Sequence, residues 1–200
     1  MISRRSFCAF VAGAAVVRPA SLLAAEAKVD PAAARTLRAQ AERALALHAS
    51  RIAHDDMIGI VDFAAPSREP RFRIIERATG RTLTMLVSHG RGSDPTHSGW
   101  LHSFSNEPGS KASSAGAYLT GEIYEGRHGR SRRLIGLDAS NSNAETRGLV
   151  IHAADYVSSA MAASAGKIGR SEGCLAVAPG DRDKLLDMLG PGRLIFAGRA

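Results

Sequence analysis

Residues 57–88, MIGIVDFAAPSREPRFRIIERATGRTLTMLVS, decide the expected fold. They contain short runs rich in Ile, Val, Phe and Thr at 57–63, 71–76 and 82–88, and runs of this composition predict strands. Thr79-Gly80 lies between the second and third runs and predicts a hairpin turn. A domain that begins with short strands joined by turns favours a β architecture.

The same pattern continues towards the C-terminus. Further strands are predicted at 117–124, 133–137, 149–153, 175–178 and 193–197, with one short helix at about 180–189. Many short strands and few helices predict a mainly β domain, a sandwich or a barrel. Residues 89–114 are polar and rich in Gly, Ser and Pro, and so long a loop in a compact domain is usually functional.

A helix precedes the strands. Asp30 is a typical helix cap, Pro31 suits the first helical position, and apolar residues recur at helical spacing as far as Ile52. We therefore expect one amphipathic helix over 31–53, which packs on the domain and does no chemistry. The predicted organisation is an N-terminal helical segment at 28–56 followed by one domain at 57–200.

Residues 1–27 predict an export signal that is removed. Arg4-Arg5 precede an uncharged run at 7–17, and small residues follow as far as Ala27. The apolar run is too short to span a bilayer comfortably, so we expect no membrane anchor. The paired arginines resemble a Tat signal, which carries folded cargo. A buried amphipathic helix is the alternative. An export signal predicts a periplasmic protein, and its resemblance to a Tat signal implies the Tat route.

Charge and length restrict the partners. The 200-residue chain has a formal net charge of +7, but its basic residues are scattered and lack the interleaved aromatic residues that stack on bases. We therefore expect no nucleic acid partner, because an exported basic protein is better matched to anionic envelope polymers. The length predicts one catalytic or binding domain, which we expect to be a monomer without a cofactor.

Cysteine usage is the sharpest compositional observation. Cys8 lies in the predicted signal, so the mature chain would retain only Cys174 and could form no internal disulfide. Cys174 is therefore either a small buried hydrophobic residue or a reactive thiol.

Two segments suggest chemistry. Residues 149–153, LVIHA, place His152 at the end of a predicted strand, and residues 169–177, GRSEGCLAV, place Cys174 at the start of another. A histidine within reach of a cysteine can take its proton and later protonate a leaving amine. Gly173 permits a tight turn, so that amides at Gly173 and Cys174 could face a developing oxyanion. The pattern fits acyl transfer, and a purely structural histidine and cysteine are the alternative.

Several motifs together resemble a known family. Ser171-Glu172-Gly173-Cys174 resembles the Ser-His-Gly-Cys signature of the YkuD-type L,D-transpeptidases, with His152 upstream in the expected place. Further motifs follow the order seen in the murein L,D-transpeptidase branch of that family, over about residues 57–197: Val61-Asp62-Phe63, Ser88-His89-Gly90-Arg91, Phe104-Ser105-Asn106-Glu107, Tyr124-Glu125-Gly126-Arg127-His128-Gly129 and Val150-Ile151-His152. The resemblance implies a YkuD-like β-sandwich or barrel.

The resemblance also implies roles for individual residues. Cys174 would be the acylated nucleophile, His152 its base, and Gly173 part of the oxyanion hole. Ser171 and Arg170 would shape the turn and hold the donor peptide. Glu172 stands where the signature has its second histidine, so any role of that histidine is absent here.

Other candidates rest on weaker signals. His89 begins the long loop, where the sequence leaves a substrate contact and a turn residue as alternatives. For Tyr156 the alternatives are a position in the cleft and packing in the core. Asn106 matches the family motifs as a further substrate-binding candidate. The group that orients His152 is expected to be a backbone carbonyl near Ala153 or, as a second choice, the carboxylate of Asp155.

The predicted function is a peptidoglycan L,D-transpeptidase acting on stem peptides, and the resemblance implies sensitivity to carbapenems. Transfer to water instead, giving an L,D-carboxypeptidase or amidase, is the first alternative. A wall-binding module without turnover is another. A zinc peptidase would need His152 and Asp155 together with His97, His102 or His128, and the chain has no HExxH motif.

Overall fold

The structure is a computed structural model that describes residues 31–199, and the predicted export signal lies outside this range. Its eight strands form one mixed sheet in the order β3-β2-β1-β8-β4-β5-β6-β7. The strands are β1 (Met57–Asp62), β2 (Phe72–Glu76), β3 (Thr82–Met85), β4 (Gly116–Gly126), β5 (Gly129–Gly136), β6 (Val150–Ala153), β7 (Leu175–Val177) and β8 (Leu194–Gly198). The mainly β fold expected from the sequence is confirmed.

The helices are α1 (Pro31–Leu47), α2 (Ser159–Ala165) and α3 (Pro179–Met188). Helix α1 is shorter than predicted, because a turn of 3-10 helix over Ala49–Arg51 follows it. Helix α2 was not predicted, because its alanine-rich sequence buries no residue and has no apolar period. The short helix predicted at about 180–189 is confirmed as α3, and α2 is an additional helix. Within residues 31–199, no helix is long and apolar enough to cross a membrane.

The stretch at 57–88 forms one end of the sheet. Strands β2 and β3 pair as the predicted hairpin, with Phe72 opposite Met85, and Gly80 turns the chain with a φ of +73°. Strand β1 joins this hairpin to the centre of the sheet, since it pairs antiparallel with β2 and parallel with β8.

The chain after β3 connects the two outer strands of the sheet. The Ser88 amide donates to the carbonyl of Ala176, 2.9 Å away, just after β3 has ended. The Ser171 amide then donates to the His89 carbonyl at 2.9 Å, and the Arg91 amide donates to the Ser171 carbonyl at 2.8 Å. The sheet therefore curls round on itself, and residues 88–91 lie against the segment that carries Cys174.

Side chains on β6 and β7 alternate between the hydrophobic core and the opposite face of the sheet. Ile151, Leu175 and Val177 are fully or almost fully buried in the main hydrophobic core. Because successive side chains on a strand point to opposite faces, His152 is directed to the other side of the sheet. Cys174 directly precedes β7, where it packs partly against the main core and also lines the cavity.

Candidate active site

His152 lies on β6, and Cys174 directly precedes the neighbouring parallel strand β7. In the β6–β7 register, Ile151 lies beside Leu175 and His152 beside Ala176. Continued by one residue, this register puts Cys174, the residue before Leu175, beside Val150. Cys174 is therefore a diagonal neighbour of His152 across the two segments. Both residues line a cavity of about 800 Å³.

A backbone carbonyl orients the His152 ring. Its Nδ1 lies 2.8 Å from the carbonyl oxygen of Ala153, the partner that the sequence favoured over Asp155. Because a carbonyl can only accept, Nδ1 carries the hydrogen of the neutral ring and Nε2 keeps its lone pair. Burial lowers the pKa of His152; the Ala153 hydrogen bond opposes this shift and the charge of His128 adds to it. The neutral ring, with Nε2 as acceptor, is therefore favoured.

A second imidazole covers the first. The His128 ring stacks on the His152 ring, with centroids 4.1 Å apart and planes inclined by 22°. His128 lies at the tip of the β4–β5 hairpin and also lines the cavity. The sequence offered His128 only as a zinc ligand or as part of a family motif, since a turn residue carries no signal of what it contacts.

Cys174 is a half-buried free thiol. Its Sγ lies 3.9 Å from the carbonyl oxygen of Gly148. Burial raises the pKa of this thiol, while the backbone amide of Val150 and the charge of Arg147 act in the opposite direction. Burial therefore favours the neutral thiol of Cys174, in the same cavity as the neutral imidazole of His152.

The turn before Cys174 requires glycine. Gly173 has a φ of +114°, and a Cβ there would lie 2.7 Å from the carbonyl oxygen of Ala112. The Gly173 amide donates to the Ser171 hydroxyl at 3.1 Å, and that hydroxyl donates to the Cys174 carbonyl at 2.7 Å. Ser171 thus shapes the turn from within. In this arrangement the Gly173 amide is engaged by Ser171 and does not face the cavity, as its predicted oxyanion role would require.

Two arginines of the cavity hold neighbouring loops. Arg170 donates to the carbonyls of Asp94 and Pro95, and Arg147 donates to those of Ser105 and Ala112. The Arg147 side chain lies partly buried against the loop at 104–114. Desolvation accordingly lowers the pKa of Arg147.

Glu172, which replaces the signature histidine, is exposed and forms ion pairs. Its carboxylate contacts Arg91 and lies 3.3 Å from Nζ of Lys111. Glu172 thus joins the nucleophile turn to the long loop. The cavity lining contains one carboxylate and more cationic side chains, namely Lys111, Arg127, Arg147 and Arg170. This excess of positive charge suits an anionic ligand.

Tyr156, for which the sequence left cleft and core positions open, lies among the residues that line the cavity. It packs over Gly169, where an added Cβ would lie 2.5 Å from Cβ of Tyr156. Burial raises the pKa of Tyr156 to about 12, so its hydroxyl keeps its proton at neutral pH.

His89 and Asn106, which the sequence suggested as substrate contacts, are not among the residues that line the cavity. His89 is buried, with Nδ1 2.7 Å from Nη2 of Arg71 and Nε2 3.3 Å from Oδ2 of Asp94. Asn106 Nδ2 donates to the Ala139 carbonyl at 3.1 Å and ties two loops together. Both polar side chains are used internally, and a family motif alone does not separate such a role from substrate contact.

Of the candidate zinc ligands, His128 stacks on His152, but His97 and His102 are hydrogen-bonded elsewhere. His97 Nε2 lies 3.0 Å from the Ile168 carbonyl oxygen, and His102 Nε2 lies 2.9 Å from the Ser98 hydroxyl. In the part of the chain that the structure describes, no group of three or more His, Cys, Asp or Glu side chains could hold a metal ion.

Fold and cavity together define a mainly β domain in which a free cysteine and a carbonyl-oriented histidine share one site. The profile of the L,D-transpeptidase catalytic domain matches residues 28–197, and the chain belongs to this family. The match begins before α1, upstream of the motifs that first suggested the relationship.

Solved structures with a similar fold are L,D-transpeptidases of low sequence identity. One from Mycobacterium smegmatis is 16% identical, with a TM-score of 0.44 over 72% of this chain and 58% of that one. L,D-transpeptidase 3 from Mycobacterium tuberculosis is 11% identical, with a TM-score of 0.47 over 72% and 61%. One from Stackebrandtia nassauensis is 15% identical, with a TM-score of 0.42 over 74% and 58%.

The chain thus spans about three fifths of the length of these solved proteins. No curated protein matches it.

Proposed function

We propose that this chain is a peptidoglycan L,D-transpeptidase that forms an acyl-enzyme on Cys174. The observation that carries the proposal is that Cys174, which directly precedes β7, and His152, on the neighbouring strand β6, line one cavity. The Ala153 carbonyl supports it, because it leaves Nε2 of His152 free to accept a proton.

In the first half-reaction, Nε2 of His152 takes the proton of the Cys174 thiol as Sγ attacks the carbonyl carbon of the donor amide. That amide follows the L-centre of a diamino acid in the stem peptide. The C–N bond of the resulting tetrahedral intermediate breaks, and the imidazolium of His152 protonates the leaving amine. The products are a thioester on Cys174 and a free terminal D-residue.

In the second half-reaction, an amine of another stem peptide attacks the thioester carbonyl. His152 takes a proton from that amine, the C–S bond breaks, and the thiolate of Cys174 recovers the proton from His152. The new amide is a cross-link. If water replaces the amine, the same steps release a carboxylic acid, so carboxypeptidase activity uses the same residues.

The neutral resting states of Cys174 and His152 determine when the proton is transferred in this mechanism. Burial favours the thiol of Cys174 and the neutral ring of His152, so the proton moves when the substrate arrives rather than before. The charge of Arg147 lies near the sulfur and stabilises the thiolate as it forms.

The remaining cavity suits a stem peptide. Such peptides carry free carboxylates, and the lining provides Lys111, Arg127, Arg147 and Arg170. Arg170 and Tyr156 lie beside the nucleophile turn, where they would contact the donor. Activity on peptidoglycan places the protein in the periplasm, reached through the export signal predicted at 1–27.

The experiment is muropeptide mass spectrometry after incubation of the protein with tetrapeptide-rich sacculi. We expect loss of the terminal D-residue and new dimers that lack it, and a Cys174→Ala variant should produce neither. Products without dimers would identify the carboxypeptidase. Binding to sacculi without turnover, equal in both proteins, would contradict the proposal and favour a wall-binding module.

Acylation by a carbapenem tests the nucleophile without a wall substrate. A solved L,D-transpeptidase was captured in complex with imipenem. We expect the intact mass of this protein to increase by one imipenem, and Cys174→Ala to remain unmodified. His152→Ala should be modified more slowly, whereas His54→Ala, an exposed histidine outside the cavity, should match the native rate.

A further inference from the structure

The His128–His152 stack is a contact that the proposed reaction does not yet use. The imidazole planes are nearly parallel, with centroids 4.1 Å apart, and both residues line the same cavity. Aromatic pairs in this geometry contribute about 0.5–1.5 kcal/mol beyond the burial of their area. That is enough to favour one orientation of a side chain over another.

The hairpin is built to hold His128 at this point. Arg127 and His128 form a two-residue turn between Gly126 and Gly129, which pair with each other, and Gly129 has a φ of +70°. The Ser131 hydroxyl donates to the Gly129 carbonyl at 2.9 Å and fixes the second half of the turn.

Strand pairing brings this turn over the base. Arg132 pairs with Ile151 in the antiparallel β5–β6 register, so Ser131 follows beside His152 and the turn lies just beyond it. The Arg133 guanidinium lies 4.5 Å from the centre of the Tyr124 ring and links the two strands of the hairpin.

His152 needs a second restraint. Its hydrogen bond to the Ala153 carbonyl fixes one edge of the ring, at Nδ1. Rotation about that edge would still move Nε2 towards or away from Cys174. A flat group against the face of the ring removes this freedom.

We propose that His128 is a positioning residue, which holds the His152 ring in the plane that faces Cys174 by stacking on it. The inference rests on the Cys174–His152 pair of the proposed function, and on no assumption about the wall substrate. The second imidazole of the site thus comes from the β4–β5 hairpin, in a chain whose nucleophile turn carries Glu172 in place of the signature histidine.

A substitution of His128 alone leaves the other charged groups around His128 and His152 unchanged. Charged or titratable side chains in the cavity lining, besides the two histidines, are Lys111, Tyr124, Arg127, Arg147, Tyr156, Arg170, Glu172 and Cys174. All of them are retained when only His128 is replaced, so their contributions cancel between variants.

The test is the rate at which iodoacetamide alkylates Cys174 between pH 5.5 and 9. We expect His128→Ala to react about tenfold more slowly at pH 7.5, because a misplaced base assists the thiol poorly. His128→Phe keeps a flat ring and should restore most of the rate. In both variants the acidic limb of the profile should move to higher pH, since the charge of His128 no longer lowers the pKa of His152.

Two results would overturn the inference. One is a His128→Ala rate and pH profile equal to those of the native protein. The other is a His128→Phe rate as low as that of His128→Ala, which would exclude stacking as the cause. His54→Ala is the control for loss of an exposed histidine. The assay contains no peptidoglycan, so failure to process sacculi would leave this result standing.

Discussion

The Ser171 hydroxyl donates a 2.7 Å hydrogen bond to the carbonyl oxygen of Cys174, three residues further along the chain. The same hydroxyl accepts the Gly173 amide at 3.1 Å. One buried side chain therefore satisfies both polar groups of the turn that presents the nucleophile. Its own backbone is held on both sides by His89 and Arg91.

Replacement of Ser171 by alanine should destabilise the turn. Loss of the hydroxyl leaves a buried amide and a buried carbonyl without partners, which costs about 1–3 kcal/mol. We expect the free energy of unfolding in urea to fall by this amount, and acylation by imipenem to slow as Cys174 shifts. Ser164→Ala removes only an exposed 3.5 Å contact and is the matched control. Equal effects of the two substitutions would contradict this account of the turn.

Gly173→Ala should be more damaging than the same change at another glycine with positive φ. Gly80, at φ +73°, has nothing within 4 Å of an added Cβ, so Gly80→Ala should cost about 1 kcal/mol. At Gly173 the added Cβ would also meet the Ala112 carbonyl at 2.7 Å.

We therefore expect Gly173→Ala to lower the free energy of unfolding by about 3 kcal/mol or more, or to prevent folding. Parallel urea titrations measure the difference. A loss at Gly173 no larger than that at Gly80 would show that the loop at 104–114 moves aside freely.

The sequence predicted all eight strands because each is a short apolar or β-branched run closed by turn residues. It could not predict how the chain after β3 reaches β7, since residues 88–91 meet Ser171 and Ala176 through backbone hydrogen bonds that leave no side-chain pattern. Helix α2 was missed for a related reason. It begins with a local cap, in which the Ser158 hydroxyl accepts from the Met161 amide, and it buries no apolar stripe.

Sequence pattern indicates which residues share the cavity where they lie on or beside an apolar strand, and fails where placement depends on distant contacts. His152 ends β6, Cys174 directly precedes β7, and both line the cavity. For His89 the sequence left substrate contact and a turn role open, because nothing in its neighbourhood reveals Arg71, its partner 18 residues away. The contact of His128 with His152 was missed, since only the folded hairpin brings the two rings together.

Thiol reactivity should depend on Arg147. Burial raises the pKa of Cys174, so iodoacetamide should react more slowly at pH 7.5 than with an exposed free thiol. The charge of Arg147 lowers that pKa, so Arg147→Met should slow the reaction further and move its pH profile upwards.

Arg147→Lys is the matched control, because it retains the charge while losing the planar guanidinium that binds two carbonyls. It should lie between the native protein and Arg147→Met. A native pH profile for Arg147→Met, in a folded protein, would exclude this charge as a stabiliser of the thiolate.

His89, which is buried and does not line the cavity, should make the stability of the native protein sensitive to acid. Burial and the neighbouring charge of Arg71 lower the pKa of His89 to about 4, while contact with Asp94 only partly opposes the shift. An unfolded histidine titrates near 6.5, so between about pH 6.5 and 4 the unfolded chain binds a proton that the native protein excludes. Native stability should therefore fall as the pH drops through this range, by about 3 kcal/mol for this one group.

Urea unfolding at pH 7 and at pH 4.5 measures this loss. In His89→Gln the side chain no longer titrates, so the difference between the two free energies should shrink although both values are lower. His54→Gln removes an exposed histidine and should keep the native difference. The pKa of His152 is also lowered by burial, so part of the slope should survive in His89→Gln. An unchanged slope in that variant would assign the acid sensitivity to other groups and would mean that His89 can be protonated within the fold.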